Sequence, residues 1–196
     1  MKGTLKNLVL LLAIALVFSG CKQPTKMMDE AKAAVNDVTK AGADLYAVEE
    51  LKKLNDDLTV ALDEVNTQDQ KFFKKFGKSK EILAAVKADA EAMKAALPAK
   101  IEAAKNNAIT LQSEAQAAIA EAKALLEQAP KGKGTKKDIE ALTADLSGVE
   151  AAFAEIQTAI DSQDYIGAAG KANTIKEKAV AISDQVKAAI EKIKKK

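Results

Sequence analysis

The feature that most constrains this chain is an apolar seam recurring every three or four residues along most of its length. Leu51, Leu54, Leu58, Ala61 and Val65 keep a strict alternation of three and four, the pattern that turns one helix face toward a neighbour. A longer run carries Phe76, Leu83, Val86, Ala90, Met93 and Leu97, then Ile101, Ala104, Ala108, Leu111, Ala115, Ile119, Ala122 and Leu126. Two more follow, from Leu142 through Leu146, Val149, Phe153 and Ile156 to Ile160, and from Ala168 through Ala172, Ile175, Ala179, Ile182 and Val186 to Ile190. Alanine, the best helix former, supplies 40 of the 196 residues, and only Pro24, Pro98 and Pro130 interrupt the chain. The expected fold is all-α: an elongated antiparallel helical bundle of coiled-coil hairpins. Alanine seams bury little area per layer, so such helices pack closely and gain stability along their length.

The helix limits follow from caps and breakers. The first helix is expected over Met27–Lys40, with Met28, Ala31, Val35 and Val38 on one face and Gly42 ending it in the left-handed conformation that glycine accepts. The second is expected over Ala47–Val65, with Asn66-Thr67-Gln68-Asp69 as a turn or helix N-cap. From Gln70 to Ala129 the periodicity barely stops. Two consecutive steps of four, Met93 to Leu97 to Ile101, depart from the heptad around Pro98, which points to a kink in one long helix. Pro130-Lys131-Gly132-Lys133-Gly134-Thr135 reads as a loop, Thr135 and Asp138 as an imperfect capping box, and two helices follow, to Ile160 and from Asp164. The lysines between Lys131 and Lys137 read as a solvated loop, with contact to anionic lipid or glycan as the other reading.

The N-terminus sets the expected location. Lys2 and Lys6 precede an unbroken apolar run from Leu8 to Val17, whose ten residues rise about 15 Å as a helix, roughly half a bilayer core. This is the layout of a removable secretory signal. Phe18-Ser19-Gly20-Cys21 resembles the lipobox of bacterial lipoproteins, which implies cleavage after Gly20, a diacylglyceryl group on the Cys21 thiol, and acylation of the new amine. Cys21 is the only cysteine in the chain, where an exported free thiol would be unusual. The expected product is a protein anchored to a membrane by lipid and facing the periplasm. Lys22 after the cysteine favours the outer membrane in a Gram-negative source, since an Asp there commonly retains enteric lipoproteins at the inner membrane. The expected division is residues 1–20 as signal, 21–26 as lipidated tether, 27–129 as a hairpin plus long helix, 130–137 as loop and 138–196 as a second hairpin.

Composition narrows the chemistry. Removing Lys2 and Lys6 with the signal takes the basic residues from 30 to 28, against 28 acidic ones, a balance that gives no global pull toward nucleic acid or acidic lipid. The chain has no His, Arg or Trp, so the usual nucleophile–base pairs, transition-metal sites and bidentate anion clamps have no residues to build them. No Gly-rich phosphate loop or acidic metal loop appears. The expectation is a non-enzymatic protein with no catalytic residues, no metal and no cofactor.

A shift of 95 residues places Leu51, Leu54, Leu58, Ala61 and Val65 on Leu146, Val149, Phe153, Ile156 and Ile160, and Asn66–Asp69 on Asp161–Asp164. This suggests a repeat of two helical hairpins. Glu30-Ala31 through Ala41-Gly42-Ala43, with Tyr46-Ala47-Val48-Glu49-Glu50-Leu51, resembles the alanine-rich bacterial lipoprotein family catalogued as domain of unknown function 4398. Gln163-Asp164-Tyr165 followed by Ala168, Ala169 and Ala172 resembles a later element of the same pattern, displaced by 95 residues, and Val48 stands where the family has proline. The resemblance covers about 45 residues around the first hairpin. It implies a cell-envelope protein and brings no catalytic residues. Some members of that family carry a peptidoglycan-binding module of the outer-membrane-protein-A type, which has no counterpart in these 196 residues.

Two further features carry functional readings. Phe72, Phe73 and Phe76 among Lys71, Lys74 and Lys75 form the only aromatic cluster, read either as the hydrophobic cap of a hairpin or as a patch that docks a membrane or a partner. Lys194 to Lys196 read as a basic helix end. By similarity to the major outer-membrane lipoprotein of enteric bacteria, a helical protein linked to peptidoglycan through its terminal lysine, Lys196 is also a candidate attachment point. The leading expectation is an envelope scaffold that presents helical surfaces to protein partners and can self-associate into homo-oligomers. The alternative is a periplasmic binding or chaperone-like module holding apolar or polypeptide ligands between helices.

Overall fold

The computed structural model describes residues 22–129 and 136–194, and every regular element among them is helical. Among the described residues the fold is all-α helical, with five main helices: α1 Thr25–Val38, α2 Val48–Asp69, α3 Gly77–Gln128, α4 Lys136–Asp161 and α5 Tyr165–Lys194. Two compact units divide between Lys100 and Ile101, inside α3.

In the first unit α1 buries Ala31, Val35 and Val38. The chain then kinks over Thr39–Ala43, where Gly42 takes the non-helical values φ +99°, ψ 16°. Here glycine is needed twice over, since a Cβ at Gly42 would also lie 3.4 Å from the Tyr46 ring. After the single turn Asp44–Tyr46, Ala47 (φ −147°) redirects the chain and its carbonyl accepts the first hydrogen bond of α2, from the Leu51 N–H at 2.8 Å. Glu49 and Glu50 in that first turn complement the helix dipole. The seam of α2 is buried throughout, from Leu51 to Val65.

Ion pairs fix the directions. Glu30 with Lys87 (2.9 Å) and Asp37 with Lys94 (3.7 Å) are each 57 residues apart, so α1 and α3 run parallel. Glu50 pairs with Lys100 and Leu54 lies across from Met93, so α2 runs antiparallel to α3. The result is an up-down-up arrangement of three helices around a core to which α3 contributes Leu83, Val86, Ala90 and Leu97, with Phe76 just before it.

The second unit repeats this alternation. Gln112 donates to Gln157 (3.0 Å) and Lys123 to Glu150 (3.3 Å), setting α4 antiparallel to α3. Lys176 with Glu114 (2.7 Å) and Lys187 with Glu121 (2.9 Å) set α5 parallel to α3. Its core is built from Ala108, Ala115, Ala122, Leu126, Ile139, Leu142, Leu146, Val149 and Ile156, closed by the α5 residues from Ala168 to Val186. The residues paired by the 95-residue shift therefore lie on the antiparallel middle helix of each unit. Leu146, Val149 and Ile156 are buried like their counterparts, whereas Phe153 and Ile160 are half-buried.

Several expected boundaries move. Asn66–Asp69 is the last turn of α2, not a separate turn or cap. Nothing there breaks a helix, and Gln68 Nε2 donates to Glu64 Oε1 at 2.8 Å within one more helical turn. The equivalent stretch does break: α4 ends at Asp161, and Gln163 takes φ 63°. The two turns thus differ in phase. α3 begins at Gly77, not Gln70, and Lys136 and Lys137 belong to α4. Thr135 and the rest of the expected loop lie outside the described residues. Pro98 sits on an exposed face, and the helix is continuous through it.

Candidate functional site

Phe18, Ser19, Gly20, Cys21 and Lys196 lie outside the described residues. Among the sequence-derived candidates, the structure places Phe72, Phe73 and Phe76, and it separates them. They fall on the connection from α2 to α3. Lys71 N–H donates to the Gln68 carbonyl at 3.1 Å, and Lys75 N–H donates to Gln68 Oε1 at 3.3 Å, so one glutamine holds both sides of the turn. Lys74 bonds Asp69 at the helix end.

Phe76 is fully buried and tops the core of the first unit. Its carbonyl accepts from the Lys80 N–H and from the buried Ser79 hydroxyl, both at 3.0 Å, which starts α3 with its polar groups satisfied. This is the capping role expected of the cluster, and only Phe76 fills it. Phe72 and Phe73 are 92% and 78% exposed, stacked edge-to-face at 5.0 Å and 87°. The distinction cannot be read from spacing alone: all three fit an apolar stripe until the helix end is known.

A second feature has no counterpart among the sequence candidates. Between α2 and α3 runs an open groove of about 330 Å³, floored by Leu54, Ala92, Met93 and Ala96 and rimmed by Glu50, Lys53, Asp57, Asp89 and Lys100. Ala92 and Ala96 beside Met93 leave the room, and those small residues are the only sequence signal for it. The rim charges pair across and along the helices. A hydrogen bond from Lys100 holds the Glu50 carboxyl below the usual carboxylate range. The hydrogen bond and charge of Asp57, with Asp89 behind it, push the Lys53 ammonium above its usual value.

The remaining ionisable groups with clear shifts are likewise surface partners: Glu30 with Lys87, Glu155 with Lys171, and Lys187 with Glu121. Among the described residues no three acidic, His or Cys side chains gather where they could hold a metal ion, and no buried side-chain nitrogen or oxygen lacks a hydrogen-bond partner. No described helix is long and apolar enough to cross a membrane. No family model, curated protein or solved structure matches this chain.

Proposed function

We propose that this chain is a lipid-anchored envelope protein with a non-enzymatic scaffold role, presenting helical surfaces to protein partners from a membrane attachment at Cys21. The observation that carries the reading is the sequence Phe18-Ser19-Gly20-Cys21 placed just before a short tether and a helical body. The described part of that body supports it. Its shifted ionisable groups are Lys–carboxylate partners at the surface, and such pairs tune solubility and contacts more readily than chemistry.

The test has two arms. Growth with labelled fatty acid, followed by mass measurement of the N-terminal peptide, should find acyl chains on a peptide beginning at Cys21. A peptide that begins elsewhere, or carries no acyl mass, rejects the anchor. Crosslinking in intact cells, then capture of the full chain, should recover defined envelope proteins or further copies of this chain.

A second reading, a binding module for apolar ligands, is favoured by the Leu54–Met93 groove. Native mass spectrometry distinguishes it: a carrier holds non-covalent lipid or peptide that is lost on Met93→Glu, whereas a scaffold gives only the mass of the covalently acylated chain.

A further inference from the structure

Two features of the first unit meet at one of its ends. The parallel register of α1 and α3 puts Thr25 level with Ile82, and Met27 and Glu30 share a groove with Leu83 and Lys87. The described chain therefore starts beside the first turns of α3. Those same turns receive the connection from α2 that carries Phe72 and Phe73. From Cys21 to Thr25 the backbone spans at most about 14 Å, so whatever holds Cys21 also holds this end of the unit close by.

The exposed aromatic pair stands apart from the rest of the surface. Other large apolar side chains left in water, such as Leu45, Val48 and Val60, are about half exposed, whereas Phe72 and Phe73 show 92% and 78% of their surface. Their mutual contact covers only an edge of one ring and part of one face of the other. The surrounding charge is one-sided: between Asp69 and Glu81 lie five lysines, Lys71, Lys74, Lys75, Lys78 and Lys80, against those two carboxylates. Exposed apolar rings flanked in the sequence by lysines match the boundary of a membrane, where rings enter the headgroup level and lysines meet anionic phosphates.

We propose that Phe72 and Phe73, with Lys71, Lys75 and Lys78, dock into the surface of an anionic lipid membrane. The contact seats the helical unit on the leaflet that holds the acyl chains of Cys21. That shared leaflet rests on the lipid-anchor reading; the docking of the aromatic pair does not. A contact too weak to hold a free protein is sufficient here, because a tether of a few residues keeps it at high effective concentration.

The chain has no tryptophan, so Phe73→Trp places a single tryptophan, excited selectively over Tyr46 and Tyr165 at the red edge of its absorption, at a site exposed enough to accept it. The full chain is purified from membranes and reconstituted into phosphatidylcholine vesicles with or without phosphatidylglycerol. The emission should shift to the blue on phosphatidylglycerol vesicles and be quenched by acyl chains brominated near the headgroup. Lys71→Glu with Lys75→Glu should abolish the shift while the helical circular dichroism stays unchanged. Emission that remains at its position in water on both vesicles overturns the proposal. An equal shift on both overturns its anionic lipid, and a shift that requires added envelope proteins assigns the pair to a protein partner instead.

The mass of the N-terminal peptide reports the anchor separately. If the chain proves unacylated, co-sedimentation with the same vesicles reads the docking alone. Phe72→Ser with Phe73→Ser should then lower the bound-to-free ratio about tenfold or more, and unchanged binding overturns the proposal.

Discussion

Gly42 and the phenylalanines of the α2–α3 connection are where single residues decide most. At φ +99° a side chain on residue 42 is strained, and the Tyr46 ring 3.4 Å from the Cβ position leaves little freedom to relieve it. Gly42→Ala should therefore destabilise the protein by about 1 kcal/mol or more, read as a lower denaturant midpoint at unchanged slope. The three phenylalanines should behave in opposite ways despite their proximity. Phe76→Ala removes a ring that is 1% exposed and should cost about 3–5 kcal/mol. Phe72→Ser and Phe73→Ser should stay within about 0.5 kcal/mol of the parent in the same unfolding measurement, because these rings are already in water.

Whole elements depend on how they begin and on what they tolerate inside. Asp164 caps α5 through its Oδ1, which accepts from the Gly167 N–H at 2.9 Å. Asp164→Ala should cost about 1 kcal/mol, with faster amide exchange confined to the first turn of α5. Gly167 belongs to the same device, since a Cβ there would fall 2.1 Å from the Asp164 carboxylate. Pro98 is a different case, a residue that α3 accommodates at a cost. Its ring lies on an exposed face and removes one backbone hydrogen bond, so Pro98→Ala should raise stability by about 1–3 kcal/mol. A lower denaturant midpoint after Pro98→Ala would show that the proline serves the helix instead of burdening it.

Across the described residues, charge is spread as Lys–carboxylate pairs within and between helices, and the sign of each shift sets the dependence on pH. Hydrogen bonds from Lys87, Lys100 and Lys171 hold Glu30, Glu50 and Glu155 below the usual carboxylate range. Their contribution is present above that range and is lost as the pH falls through the lowered folded-state values. Lys53, Lys87 and Lys187 are pushed up by Asp57, Glu30 and Glu121. Their contribution is complete below the usual lysine value and is lost as the pH rises through the raised ones. With no histidine in the chain, the thermal midpoint should be level through neutrality and fall at both extremes. Because these pairs are solvent-exposed, the fall should be shallow and should flatten further at high salt. A steep change near neutral pH would show that a group outside these pairs governs stability.

The all-α class was legible because periodicity is local: a seam of alanine and leucine every three or four residues can be buried only by helices, whatever lies opposite. None of the α3 seam residues from Phe76 to Leu126 is exposed, and Gly42 closes the first helical segment as its backbone freedom predicts. The candidate attachment at Cys21 is likewise a property of sequence, carried by Phe18 to Cys21 before any fold exists. What the tertiary structure alone decided are matters of which surface meets which. Asn66–Asp69 stays helical while its counterpart turns, because the next core residue, Phe76, lies farther along the chain than Tyr165 does after α4. Phe76 enters the core and its neighbours do not, because the helix end, not the local spacing, sets where the stripe stops facing inward. The ion pairs that make α1 parallel to α3 join residues 57 apart, a distance at which sequence pattern carries no register.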